Sequence, residues 1–89
     1  MSKFDQPSEQ QSGHVTTFWT LRGPGGHELT CHGSRFATGV ELRSQYGPRD
    51  IVEIEWFRGA TADERLVERA DAWRRTWLKK GFHEIAPLR

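Results

Sequence analysis

The chain is poor in several things. It has one cysteine, one tyrosine and one methionine among 89 residues. A single cysteine cannot close an internal disulfide, and it points to a reducing compartment. No apolar run approaches the roughly 20 residues of a membrane span. The opening Met1-Ser2-Lys3-Phe4-Asp5-Gln6 lacks the apolar stretch of a signal peptide. Charge of one sign is also missing. Thirteen basic and twelve acidic side chains leave a net +1, so the chain is not a polyanion binder by charge alone. No repeat of fixed period is present. These absences read as a cytoplasmic protein with no membrane partner. What is abundant is aromatic. Four Trp and five Phe can supply a dense core at a length that suits one domain.

Residues 1–13 are rich in Ser, Gln, Glu, Pro and Gly. They offer too little apolar surface to offset ordering, so the expectation is a disordered tail followed by a single α+β domain over 14–89. His14 to Arg22 is β-branched and aromatic and reads as a strand, with Val15, Trp19 and Leu21 facing inward and Phe18 outward. Gly23-Pro24-Gly25-Gly26 forces a turn. A loop of odd length sets Leu21 opposite Leu29, Trp19 opposite Cys31, Arg22 opposite Glu28 and Thr20 opposite Thr30, which satisfies both faces. A third strand carries Val40, Leu42 and Tyr46 inward. A fourth, Ile51 to Arg58, carries Val52, Ile54 and Trp56 inward and Glu53, Glu55 and Phe57 outward. The same odd-loop argument can place Arg43 across from Glu55. The predicted sheet is a four-stranded antiparallel meander.

One long helix covers it. Thr61-Ala62-Asp63-Glu64 has capping-box spacing, with Thr61 as N-cap. Ala62, Leu66, Ala70, Trp73 and Trp77 form one apolar stripe, flanked by Val67 and Leu78. Gly81 stands where a C-terminal glycine belongs. Trp73 and Trp77 against Trp19 and Trp56 would make the centre of the core. Phe82 and Ile85 can add a short closing segment.

Catalytic chemistry finds no support in these residues. Cys31, His14, His27, His32 and His83 lack metal-ligand spacing; His27 and Cys31 lie more than about 12 Å apart along a strand. Cys31 falls on the inner face beside Leu29, where a thiol is a small hydrophobe rather than a nucleophile. The glycine-rich turn joins two strands and lacks a Lys-Ser/Thr end, so it does not cradle phosphate. Glu53, Glu55 and Glu41 read as a wetted sheet face rather than an acid/base pair. No enzyme activity, cofactor or metal is expected.

Two surfaces carry functional expectations. Phe18 and Phe57, with Arg43, are the candidate partner-binding residues, because large aromatics among polar neighbours can anchor a protein partner. The leading expectation is a small non-catalytic interaction module acting through the outer sheet face or a sheet edge, with a homodimer as one version. The alternative is a nucleic-acid-associated module using Arg74, Arg75, Lys79 and Lys80 at the end of the helix, although helix C-termini favour cations anyway.

Phe18-Trp19 on a first strand, four strands, and a helix carrying Trp77-Leu78-Lys79-Lys80-Gly81-Phe82 together resemble the layout of the WGR domain, a small DNA-associated module of some poly(ADP-ribose) polymerases. The resemblance spans most of residues 15–85 as layout. The family's Trp-Gly-Arg tripeptide is absent, Phe57-Arg58-Gly59 following Trp56 instead, so no binding residue is implied. Gly39 to Gly47 also resembles small uncharacterised bacterial α+β proteins of the same layout.

Overall fold

The computed structural model describes residues 11–85. Five strands and one helix follow in the order β1 (Gln11–Arg22), β2 (Glu28–Phe36), β3 (Gly39–Gln45), β4 (Ile51–Phe57), α1 (Ala62–Lys79) and β5 (His83–Glu84). The fold is α+β. An antiparallel sheet in the order β4-β3-β2-β1-β5 carries the helix on one face. The sheet is the expected meander with a short fifth strand added beside β1, where Leu21 faces Glu84 and Arg22 faces His83. β1 reaches back to Gln11, so residues 11–13 belong to a strand rather than to a tail; the rest of the expected tail lies outside the described residues.

The first hairpin has the expected register. Trp19, Thr20, Leu21 and Arg22 lie opposite Cys31, Thr30, Leu29 and Glu28. Arg22 Nη2 donates to Glu28 Oε2 at 2.7 Å on the face away from the helix. On the helix side Leu21, Leu29, Cys31 and Leu42 are fully buried. Burial of such side chains contributes about 1.5–3 kcal/mol each.

Two single-residue bulges then break the alternation. In β1, Thr17 pairs with His32 while Trp19 pairs with Cys31, leaving Phe18 without an opposite residue. In β4, Glu53 pairs with Ser44 while Ile51 pairs with Gln45, leaving Val52 extra. One extra residue reverses the facing of everything beyond it. Val15, expected inside, is 52% exposed on the outer face. Phe18, expected outside, packs on the core; a Cβ on Gly33 would lie 2.8 Å from its ring. In β4 the whole expectation inverts. Phe57 is buried at 4% exposure, whereas Trp56 and Ile54 are 40% and 51% exposed. Arg43 consequently faces Ile54, and Glu55 faces Leu42. Tyr46 lies outside the core too, its ring 5.7 Å from that of His27.

The helix stripe is as expected at Ala62, Leu66 and Ala70, which are buried, with Trp73, Trp77 and Leu78 packed against them. Trp19 Nε1 donates to the Ala70 carbonyl at 2.8 Å and ties the sheet to the middle of the helix. The centre of the core is therefore Trp19 with the helix; Trp56 lies on the other side of the sheet. Thr61 is the N-cap residue but makes no capping bond. Its φ and ψ of −104° and 17° lie away from the extended conformation that aims a hydroxyl at the first turn. Its Oγ1 instead accepts from Arg65 Nε at 3.1 Å.

The C-terminal end of the helix meets the glycine expectation in full. Gly81 has φ +100°. Its N–H donates to Leu78 O at 3.1 Å, and that of Phe82 to Trp77 O at 3.2 Å. This is the Schellman pattern, completed by the Trp77 and Phe82 rings 5.0 Å apart. The turn aims Phe82 at the first hairpin, where a Cβ on Gly23 would lie 2.7 Å from Phe82 Cζ. Gly23→Ala should therefore cost about 1–3 kcal/mol by overpacking. Gly47→Ala, at a position with open space around it, should stay within about 0.5 kcal/mol. Chemical denaturation of the two variants checks the contrast, and equal midpoints would contradict the contact.

Candidate functional site

Register places four rows of side chains on the face turned away from the helix. Val15, Ser34, Glu41 and Trp56 form one, and Thr17, His32, Arg43 and Ile54 the next. Thr20, Thr30, Gln45 and Ile51 form the third, and Arg22 with Glu28 the last. The β4 end of these rows is apolar and exposed. Ile51, Val52, Ile54 and Trp56 lie together there, and Phe36 leans on Trp56 with ring centroids 5.2 Å apart. Arg58 stacks over the Trp56 ring at 5.8 Å. The middle of the face is polar. Glu41 is buried at 6% exposure and accepts from Arg43 Nη2 at 2.9 Å. Arg43 Nε is buried and has no acceptor among the described residues. Thr17 Oγ1 and His32 Nδ1 lie 3.3 Å apart. His32, Glu41 and Arg43 floor a shallow hollow of about 340 Å³ that Val15, Ser34, Phe36 and Gln45 also line. A polar floor beside an apolar ridge can bind a protein side chain and orient it.

Of the residues expected to bind a partner, Arg43 alone lies on this face. Phe57 lies in the core, because the Val52 bulge turns it under the helix. Phe18 lines a second groove of about 270 Å³, on the helix side, with Thr16, Gly33, Val40, Leu66 and Val67. The exposed aromatic and aliphatic ridge is instead Trp56, Ile54, Val52 and Ile51. Val52, Ile54 and Trp56 are expected inside because their alternation matches a half-buried strand; the correction comes from Glu53 and Glu55, whose partners lie on the helix side of the sheet. Glu53 Oε1 accepts from Ser44 Oγ and from Trp77 Nε1, the latter at 3.2 Å. Glu55 accepts from Arg69 Nη1 at 2.8 Å.

The basic helix end is less open than its sequence implies. Arg74 and Arg75 both bond the Asp71 carboxylate one turn back, and Arg74 also reaches Glu84 at 3.4 Å. Lys80 lies 5.3 Å over the Trp77 ring. Lys79 and Lys80 are exposed.

No group of three His, Cys, Asp or Glu side chains among the described residues is placed to hold a metal ion. Cys31 is buried, and burial, reinforced by the charge of Glu53, pushes its thiol up to about 12. Among the described residues no helix is long and apolar enough to cross a membrane. Comparison with protein-family models, with curated proteins and with solved structures finds no match.

Two measurements follow from this geometry. Cys31 should react slowly with a thiol reagent in the native protein and fast in denaturant, since the thiolate is the reactive form. Rapid native labelling with an intact fold would contradict its burial. The His32 imidazole is held below its ordinary value of 6.5 by burial first and by Arg43 second. Its contribution is therefore fully present above pH 6.5 and is lost as pH falls toward its lower folded value, where the unfolded chain takes up a proton first. His32→Gln should flatten the stability profile over that interval. Parallel profiles for parent and variant in urea titrations would contradict the assignment.

Proposed function

We propose that the chain is a small, non-catalytic protein-interaction module that works through the outer sheet face along β4. The observation carrying this reading is the exposed ridge of Ile51, Val52, Ile54 and Trp56, in a chain whose helix-side core is otherwise well buried. Scattered exposed apolar residues are ordinary, but a contiguous ridge beside a hollow is a binding feature. Trp is also among the residues that most often dominate interface energies. The occupant is a protein partner or, in a homodimer, a second copy.

The nucleic-acid reading, which the WGR-like layout implies, rests on Arg74, Arg75, Lys79 and Lys80. Asp71 engages both arginines and Glu84 engages Arg74, so fewer cations remain for phosphates. That weighs toward the protein-interaction reading.

Site-specific photo-crosslinking in the source cell extract tests it, with the probe at position 54 or, as a control, at exposed Thr76. Adducts at 54 and not at 76 are expected. The double substitution Ile54→Ser, Trp56→Ser should keep the fold and abolish the adducts of a probe at position 52. Phe57→Ser should cost about 3–5 kcal/mol, in line with truncation of a buried Phe. Adducts at neither site, or equally at both, would overturn the interaction reading.

A further inference from the structure

The apolar ridge lies on an edge strand. β4 has β3 on one side and, among the described residues, no strand on the other. The outward side of such a strand offers unpaired N–H and C=O groups to an incoming chain. Its side chains alternate in kind. Ile54 and Trp56 are exposed on the outer face and Val52, at the bulge, is exposed beside them, whereas Glu53 and Glu55 lie on the helix side. Glu55 is ion-paired with Arg69, while Glu53 is bonded to the neutral donors Ser44 and Trp77 and has no cation among the described residues.

This alternation makes the edge selective. In a two-fold antiparallel pairing of β4 with its own copy, a register centred on residue 53, 54 or 55 is needed to pair five or more strand residues. Centring on 53 sets Glu53 against Glu53, on 54 sets Glu53 against Glu55, and on 55 sets Glu55 against Glu55. Like charges directly opposite are destabilising, and charges pointing inward from an edge are a known guard against edge-to-edge association. A neutral strand would cover Glu53 without supplying a cation. A strand with basic side chains on the helix side and apolar ones on the outer face meets both rows.

We propose that β4 accepts an extended segment of a partner protein as an added strand, and that it selects a segment alternating apolar with basic side chains. This rests on the interaction-module reading and names the partner's chemistry. Backbone bonds supply affinity, and the two rows supply specificity. The apolar residues of the segment extend the ridge of Val52, Ile54 and Trp56, and its Lys or Arg residues meet Glu53 and Glu55.

The test uses the full chain and three labelled dodecapeptides read by fluorescence anisotropy at physiological salt. One alternates Val with Lys, one alternates Val with Glu, and one has the Val-Lys composition in two blocks. The alternating Val-Lys peptide should bind roughly fivefold or more tighter than either control, the margin that two cross-strand charge pairs supply. Glu53→Gln should weaken it about threefold or more on the same scale. Glu55→Gln gives an independent reading if the first variant loses its fold. Amide exchange within 51–57 should slow when the peptide is bound. Equal binding of the block peptide, unchanged exchange in β4, or a dimer of the chain with protected β4 amides would each overturn the proposal. If no peptide binds while position 54 still crosslinks in extract, the partner chemistry is wrong and the interaction reading stands. If crosslinking fails as well, both fall.

Discussion

Glu53 joins three elements at one oxygen. Its Oε1 accepts from Ser44 on β3 and from Trp77 on α1, while its own backbone lies in β4. A half-buried carboxylate needs such donors, because an unpaired one would carry its full desolvation cost. The contact exists only if Glu53 points toward the helix. Side chains alternate along a strand, so that orientation decides the others. Glu55 turns in to meet Arg69 and Phe57 turns in to the core, while Ile54 and Trp56 turn out. The extra residue at Val52 is what lets a hairpin closed by Gln45 and Ile51 deliver this facing.

The face of the sheet away from the helix owes its character to the same arrangement. Carboxylates that would have wetted it are spent on the helix, and aliphatic and aromatic side chains stand in their place. Glu41 remains on that face but is buried against Arg43. The result is a surface divided across its width. Threonines and the Arg22–Glu28 pair occupy the β1 side, a polar hollow the middle, and an apolar ridge the β4 side. Only one edge of the face therefore offers apolar contact.

Much of the fold could be read from local chemistry. The first hairpin register follows from Arg22–Glu28 and the Leu and Trp positions, and the structure has it. The helix stripe and the Gly81 turn were equally legible, because both depend on residues near one another in the chain. The facing of β4 was not. Val52-Glu53-Ile54-Glu55-Trp56 alternates apolar with acidic residues, and which set turns toward the helix depends on Trp77 and Arg69, which arrive from the helix. A bulge at Phe18 was hidden for a similar reason. Its ring fills the space that Gly33 leaves beside Leu66, a fit visible only when β2 and α1 are both in place. The candidate site moved accordingly. The idea of an outer-face surface had a period-two basis, but of the three residues expected there only Arg43 lies on that face, Phe18 and Phe57 being on the other side of a one-residue shift.

Phe82 rests where Gly23 has no side chain, and this contact has a consequence for the order of assembly. The space for the ring is made by the first hairpin, and its position is set by the Schellman turn at Gly81. Neither alone creates the contact, so the ring settles only after hairpin and helix have both formed. Directly after Phe82 in the chain, His83 and Glu84 pair with β1 and Ile85 N donates to Thr20 O at 3.0 Å. This two-residue strand closes a loop spanning most of the described chain, and such long loops close late. It is also the smallest unit of the sheet, so it can open and reclose as a local event while the four-stranded body remains intact.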